Sequence, residues 1–180
     1  VGTESGADDP ETDHMSLNST IAFADAAGNW NDTAPTSTVF SVGTDAGTNG
    51  STDTMLAYCW VGVEGYSKFG GYKGTGNADG AFVWCGFRPK LVIIKGNDVA
   101  QGWTMMNVES STFNVMDDYI RADNTDGETT AASRNLDILS NGFKPRTTDN
   151  ALNGSLNDYI FMAWAEVPFA GDGVSQARAR

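Results

Sequence analysis

Asn153-Gly154-Ser155, followed by Tyr159-Ile160-Phe161-Met162-Ala163-Trp164-Ala165, is the stretch from which the fold is read. An earlier stretch matches it: Asn49-Gly50-Ser51, then Met55-Leu56-Ala57-Tyr58-Cys59-Trp60-Val61. One offset of 104 residues (49 to 153) pairs Asn49 with Asn153, Gly50 with Gly154, Ser51 with Ser155 and Trp60 with Trp164. Phe40 and Phe143 precede the two turns, one residue out of step. An Asn-Gly step supplies the positive φ of a tight turn between strands. A continuous apolar run behind it suits a strand covered on both faces or at the centre of a sandwich. The recurrence predicts a tandem architecture. The first copy has no upstream counterpart of Gly86-Phe87-Arg88-Pro89-Lys90-Leu91-Val92-Ile93-Ile94-Lys95. The chain therefore reads as the end of one module followed by a whole one.

The rest of the chain supports strands and turns. Residues 38–42 alternate and are β-branched, 21–24 form a shorter alternating segment, and 81–85, 91–95, 103–108, 136–139, 142–144 and 159–167 read as strands, as does 55–63. Residues 31–36, 45–53 and 149–157 are turn clusters, 66–71 reads as a bend, and Pro168 stops the last run because it has no N–H for a ladder. Residues 109–135 are mostly polar and read as a long surface excursion, in which Phe113, Val115, Met116, Tyr119 and Ile120 could support a short strand or one helical turn. The expected organisation is a flexible acidic lead-in over 1–14, the end of a first β module over 15–66, a complete second module over 67–169, and a C-terminal tail over 170–180. The expected fold class is all-β: an antiparallel β-sandwich, jelly-roll or lectin-like, with an internal repeat.

Composition agrees with that class. Hydrophobic residues make up 40% of the 180, enough for a core, while 21 glycines and abundant Asn, Thr and Ser favour strands and turns over long helices. The formal net charge of −12 repels nucleic-acid phosphates and anionic membranes, so neither is an expected partner. No apolar run approaches the length of a membrane span, and Leu91 to Ile94 is strand-sized. Val1-Gly2-Thr3 reads neither as an initiator nor as a signal peptide, which suggests a processed product or an excerpt. Cys59 and Cys85 lie in aromatic-rich runs and read as buried free thiols, with a disulfide as the alternative.

The chain offers little catalytic chemistry. His14 is the single histidine and falls in the lead-in, where a solvated linker residue is expected, so Ser-His-Asp, Cys-His and zinc sites have no support. In Gly74-Thr75-Gly76-Asn77-Ala78-Asp79-Gly80 the third glycine comes one residue late for a dinucleotide fingerprint, and a strand comes after it rather than a helix. Asp123-Asn124-Thr125-Asp126-Gly127 resembles a calcium loop, but Ala122 and Ser133 take the positions of its key carboxylates. A looser cation site among Asp117, Asp118, Asp123 and Asp126 is the alternative to a solvated acidic loop. Glu64, Glu109 and Glu166 are available for glycoside hydrolysis, but no spacing pairs them. Among the aromatics, Trp60, Trp84, Trp103 and Trp164 read as core; Trp30, Tyr72 and Tyr119 are the candidates for exposed contact. No cofactor, metal or catalytic residue is expected.

Several phrases together resemble a known family. Ala57-Tyr58-Cys59-Trp60, Gly65-Tyr66-Ser67-Lys68-Phe69-Gly70, Gly76-Asn77-Ala78-Asp79-Gly80, Gly86-Phe87-Arg88-Pro89, Leu139-Ser140-Asn141-Gly142-Phe143-Lys144 and Ala163-Trp164-Ala165-Glu166-Val167-Pro168-Phe169 are similar to a repeat module of bacteriophage tail-fibre-like virion structural proteins of marine and environmental phages. The chain departs from that pattern at Gly62 and Cys85, where an acidic residue and Thr are usual. The resemblance implies a virion structural protein of the tail-fibre class on the virion surface, contributing to host-surface binding. The alternatives are a capsid decoration or other fibrous surface-assembly protein and, less favoured, a polysaccharide-degrading tail protein. It implies no active site. The implied partners are copies of the chain (a homo-oligomer, a trimer among the options), other virion proteins and, as a candidate ligand, a host-surface glycan. The loop carrying Asp117, Asp118, Tyr119, Arg121, Asp123, Asn124 and Asp126 is the candidate host contact.

Overall fold

The computed structural model describes residues 11–168. Most of the expected lead-in and the whole tail lie outside the described residues. The described part is an all-β antiparallel sandwich. In chain order it comprises β1 (Asp13–His14), β2 (Ala24–Asp25), α1 (Ala27–Trp30), α2 (Ala46–Asn49), β3 (Ser67–Lys73), β4 (Val83–Trp84), β5 (Pro89–Gly96), β6 (Thr104–Asn107), β7 (Asp118–Arg121), β8 (Thr129–Thr130), β9 (Leu136–Leu139), β10 (Gly142–Pro145) and β11 (Asp158–Ala165). One layer is a six-stranded sheet in the order β3-β11-β5-β6-β7-β8; the other is β4-β10-β9; β1 and β2 pair separately.

The run at 159–165 is the interior strand that its apolar content predicts. β11 pairs with β3 on one side and β5 on the other. Its burial alternates, with Tyr159, Phe161, Ala163 and Ala165 inward and Ile160, Met162 and Trp164 half-exposed on the outer face. Inward side chains of the two layers interdigitate. Phe143 of β10 stands edge-on to Phe161 at 5.2 Å and to Tyr72 at 5.8 Å, and Tyr72 stacks on Tyr159 at 5.0 Å. Opposite Phe143 lie Val83 and Ile138, which complete a buried rung of the smaller sheet. Such aromatic pairs add to the stabilisation that burial provides.

The duplicated turn is real at atomic level, but it closes ahead of the Asn-Gly step, and neither Gly50 nor Gly154 takes the positive φ expected of that step. Asp45 accepts a bond from the Gly47 N–H on its side chain (2.7 Å) and from the Thr48 and Asn49 N–H groups on its carbonyl. Asp149 accepts from the Ala151 N–H on its side chain (2.8 Å) and from the Leu152 and Asn153 N–H groups on its carbonyl. These are the same bonds displaced by the same 104 residues. The two copies diverge beyond the turn. Residues 55–62 are exposed and outside any sheet, so the strand expected at 55–63 does not form. Among the described residues, every buried hydrophobic one, from Tyr72 to Ala165, belongs to the later part of the chain.

Other expectations need correction. Residues 38–42 form no strand, and of 21–24 only Ala24 enters one, with Asp25. The bend expected at 66–71 is instead β3. Gly70 and Gly71 weaken its strand signal, yet a Cβ on Gly70 would stand 3.1 Å from the Phe161 ring, so the small residue admits the neighbouring aromatic. His14 is no solvated linker: it sits in β1, half-buried, with Nδ1 2.9 Å from the Ala24 carbonyl oxygen. Cys59 is exposed rather than buried; Cys85 is buried, and both are free. Burial pushes the Cys85 thiol up to about 12.

Candidate functional site

The loop singled out in the sequence becomes β7, a turn and β8, with Asp118 opposite Thr130 and Tyr119 opposite Thr129. Asp118 accepts hydrogen bonds from Thr130 Oγ1 (2.5 Å) and Ser111 Oγ (2.8 Å). These bonds favour the charged form and hold its carboxyl below the usual range. Ser111 Oγ in turn accepts from the Asp117 and Asp118 N–H groups. Asp123 anchors the other end of the hairpin. One of its oxygens accepts from the Trp103 N–H at 2.7 Å, and the other takes the Arg121 guanidinium. Burial pushes this carboxyl upward, but the Arg121 and Trp103 donors outweigh it and the net shift is downward.

Four of the seven expected contact residues therefore face inward or sideways. Asp118, Arg121 and Asp123 tie the hairpin to its neighbours. Tyr119 packs against the core, with the Arg134 guanidinium 4.7 Å over its ring. Arg134 itself donates to Thr104 Oγ1 at 2.8 Å. Asp117 is half-buried beside Ser111. Asn124 and Asp126 remain at the tip, where Asn124 Nδ2 donates to Asp126 Oδ2 at 2.5 Å and the Asp126 N–H returns a bond to Asn124 Oδ1. The outward chemistry is thus a short polar turn, exposed from Thr125 to Glu128, on a clamped base.

The acidic residues are engaged separately and do not converge. Among the described residues, no three His, Cys, Asp or Glu side chains are placed to share a metal ion. Glu109 pairs with Lys90, which holds its carboxyl below the usual range, and Glu166 pairs with Arg88 at 3.0 Å. A glycosidase acid needs the opposite shift.

The loop before β7 contributes an anchor that its polar sequence does not announce. Asn114 acts as a strand residue with its side chain: Nδ2 donates to the Ile138 carbonyl (2.9 Å) and Oδ1 accepts from the Ile138 N–H (2.9 Å). Beside this anchor Phe113 projects into solvent, 84% exposed. The aromatic expectations partly invert. Trp60 and Trp84, expected in the core, are exposed, whereas Tyr72 is buried and donates from its hydroxyl to the Leu152 carbonyl at 2.7 Å. Trp103 is buried as expected, Trp164 is half-buried, and Trp30 is half-buried with its indole N–H bound to the Asp13 carbonyl. Apolar character alone does not separate a core tryptophan from one on a strand edge.

No curated protein and no solved structure matches the chain. One family does, and its match spans residues 3–168, nearly the whole sequence. The clamped hairpin, the duplicated turn and the sandwich core between them are therefore features of a member of that family: the chain belongs to the family described as a domain of unknown function, DUF7483.

Proposed function

We propose that the chain is a structural component of a bacteriophage virion, of the tail-fibre class, displayed on the particle surface. In this role it assembles with copies of itself and other virion proteins, touches the host surface through loop tips, and carries out no catalysis. One observation supports it above the rest: large apolar side chains stand exposed on an otherwise well-packed domain. Leu56, Tyr58, Trp60 and Val61 are 77%, 71%, 63% and 74% exposed in consecutive or alternate positions. A self-contained monomer rarely leaves such a patch open, whereas a part of an assembly covers it. The fixed bases of the Phe113 loop and the β7–β8 hairpin, with their side chains turned outward, suit contact made without ordering costs.

Immunogold labelling of intact particles with antibody to this chain tests the reading. Label confined to fibres is expected. Label spread over the shell would favour capsid decoration, and unlabelled particles would remove the virion assignment. Host contact is tested with purified chain as a competitor of particle adsorption. Wild-type protein is expected to slow adsorption, and a variant with Phe113→Ala, Asn124→Ala and Asp126→Ala is expected to lose that effect.

A further inference from the structure

We infer that the run from Met55 to Val61 is a donor strand, and that its acceptor is the open β3 edge of a second copy of this chain. The run leaves a turn that reproduces the turn before β11, bond for bond, and at an offset of 104 residues it matches β11 in its apolar character and in Trp60 against Trp164. β11 occupies the interior of a sheet, yet residues 55–60 make no backbone hydrogen bond to any described residue. A strand-like segment with unpaired backbone and apolar side chains is a template for pairing.

Beyond Ser67 the same chain carries an open edge. β3 is seven residues long and forms one edge of the six-stranded sheet. Ser67 turns its N–H and C=O outward, exchanging both with Val63 at 2.9 and 3.0 Å. By the two-residue period of a strand, Phe69, Gly71 and Lys73 also present their backbone groups on that side. No strand among the described residues takes them up. On its inner side β3 already pairs with β11, the strand to which the run corresponds at an offset of 104 residues.

Register indicates which copy supplies the strand. The run alternates large and small: Leu56, Tyr58 and Trp60 against Ala57, Cys59 and Val61. Their β11 counterparts Ile160, Met162 and Trp164 lie on the outer face, where Met162 stands level with Phe69, Ile93, Met105 and Ile120. With β11's parity, Tyr58 would sit opposite Phe69 and lengthen this apolar row. The chain's own hairpin cannot achieve that. Its Val63–Ser67 bridge places odd residues of the run opposite odd residues of β3, so continuing the ladder would turn Trp60 and Tyr58 to the other face. The ladder stops there instead: the Val61 carbonyl accepts from the Ser67 hydroxyl at 3.1 Å, and the run departs from the edge. A strand from another molecule is free of the turn's register. Each copy gives one strand and receives one, so a closed ring leaves none unpaired.

The inference rests on the assembly part of the proposed role and not on host binding. Sedimentation of the 180-residue chain tests it across a dilution series. A concentration-dependent closed oligomer, dimer or trimer, is expected. Tyr58→Pro removes an N–H that bonds to nothing within the described chain, so it should abolish the oligomer and leave the melting curve of the dissociated chain unchanged. Gly71→Pro removes a donor N–H from the receiving β3 edge and should do the same from the other side. In a Cys59→Ser background, chains with Tyr58→Cys mixed with chains carrying Phe69→Cys should form a disulfide between copies. A wild-type chain that is monomeric throughout, an oligomer that survives Tyr58→Pro, or a failure of the mixed cysteines to cross-link would overturn the inference. Host adsorption competition would be unaffected by any of these results, so the two ideas fail separately.

Discussion

Asn153 and Asn49 occupy the same place in two copies of one turn, and their surroundings set their worth. Asn153 is fully buried and uses both ends of its amide: Oδ1 accepts from the Thr75 N–H and hydroxyl, and Nδ2 donates to the Asn77 and Thr147 carbonyls. Asn49 makes one side-chain bond, from Nδ2 to the Gly43 carbonyl, near the surface. Asn153→Ala strands buried donors and acceptors and is expected to cost about 3 kcal/mol in urea unfolding. Asn49→Ala is expected to fall within about 1 kcal/mol of wild type. Equal losses would show that the two turns are equally integrated. The Asn-Gly-Ser motif is legible in the sequence at both places. The depth of burial is not, because it comes from residues 75–77 and 147 folding over only one of them.

At the level of elements, Asp123 decides whether β7 and β8 stay on the sheet. Its side chain joins Arg121 to the start of β6 through the Trp103 N–H. Asp123→Asn is expected to weaken this clamp by about 2 kcal/mol, as loss of a charged hydrogen-bond partner does. Amide exchange should quicken in residues 118–130 before it changes in β11. The pH dependence comes from the downward shift of Asp118 and Asp123. A carboxylate whose folded pKa lies below its unfolded value contributes stability above about pH 4 and loses it as pH falls through the folded value. Wild-type melting temperature should therefore drop below about pH 4, and Asp123→Asn should flatten part of that drop. A variant with the wild-type acid profile would show that the clamp contributes nothing to it. In the sequence this segment is polar and acidic, hence solvent-facing by expectation. Seeing its carboxylates as internal anchors requires knowing that Ser111, Thr130 and the Trp103 N–H converge on them from distant positions.

The whole molecule consists of a sandwich core drawn from Tyr72 to Ala165 and an earlier region attached to it by few bonds. Two of these are the Phe23 N–H to the Asn97 carbonyl at 2.7 Å and the Trp103 indole N–H to the Ser16 carbonyl at 3.0 Å. Residues 31–40 are exposed throughout. Limited digestion by a protease that cuts before large apolar residues should nick the chain first within residues 39–61, at exposed positions such as Val39 and Leu56, and leave residues 67–165 intact. An early cut within the core strands would contradict this division. No helix of the described residues is long and apolar enough to cross a membrane.

Period and turn chemistry determined the class of fold. Apolar runs of strand length, punctuated by Asn, Gly and Pro, can bury their side chains only in layered sheets, and most strands after residue 80 lie within a few residues of where their pattern puts them. The duplicated phrase is equally visible, since it is written in residue identities. Tertiary structure alone decided that the two copies differ. Residues 159–165 found β3 and β5 on either side and became an interior strand, while residues 55–61, equally apolar, found no such neighbours. A strand is completed by hydrogen bonds to other segments, so its own sequence states the capacity to pair but not the presence of a partner.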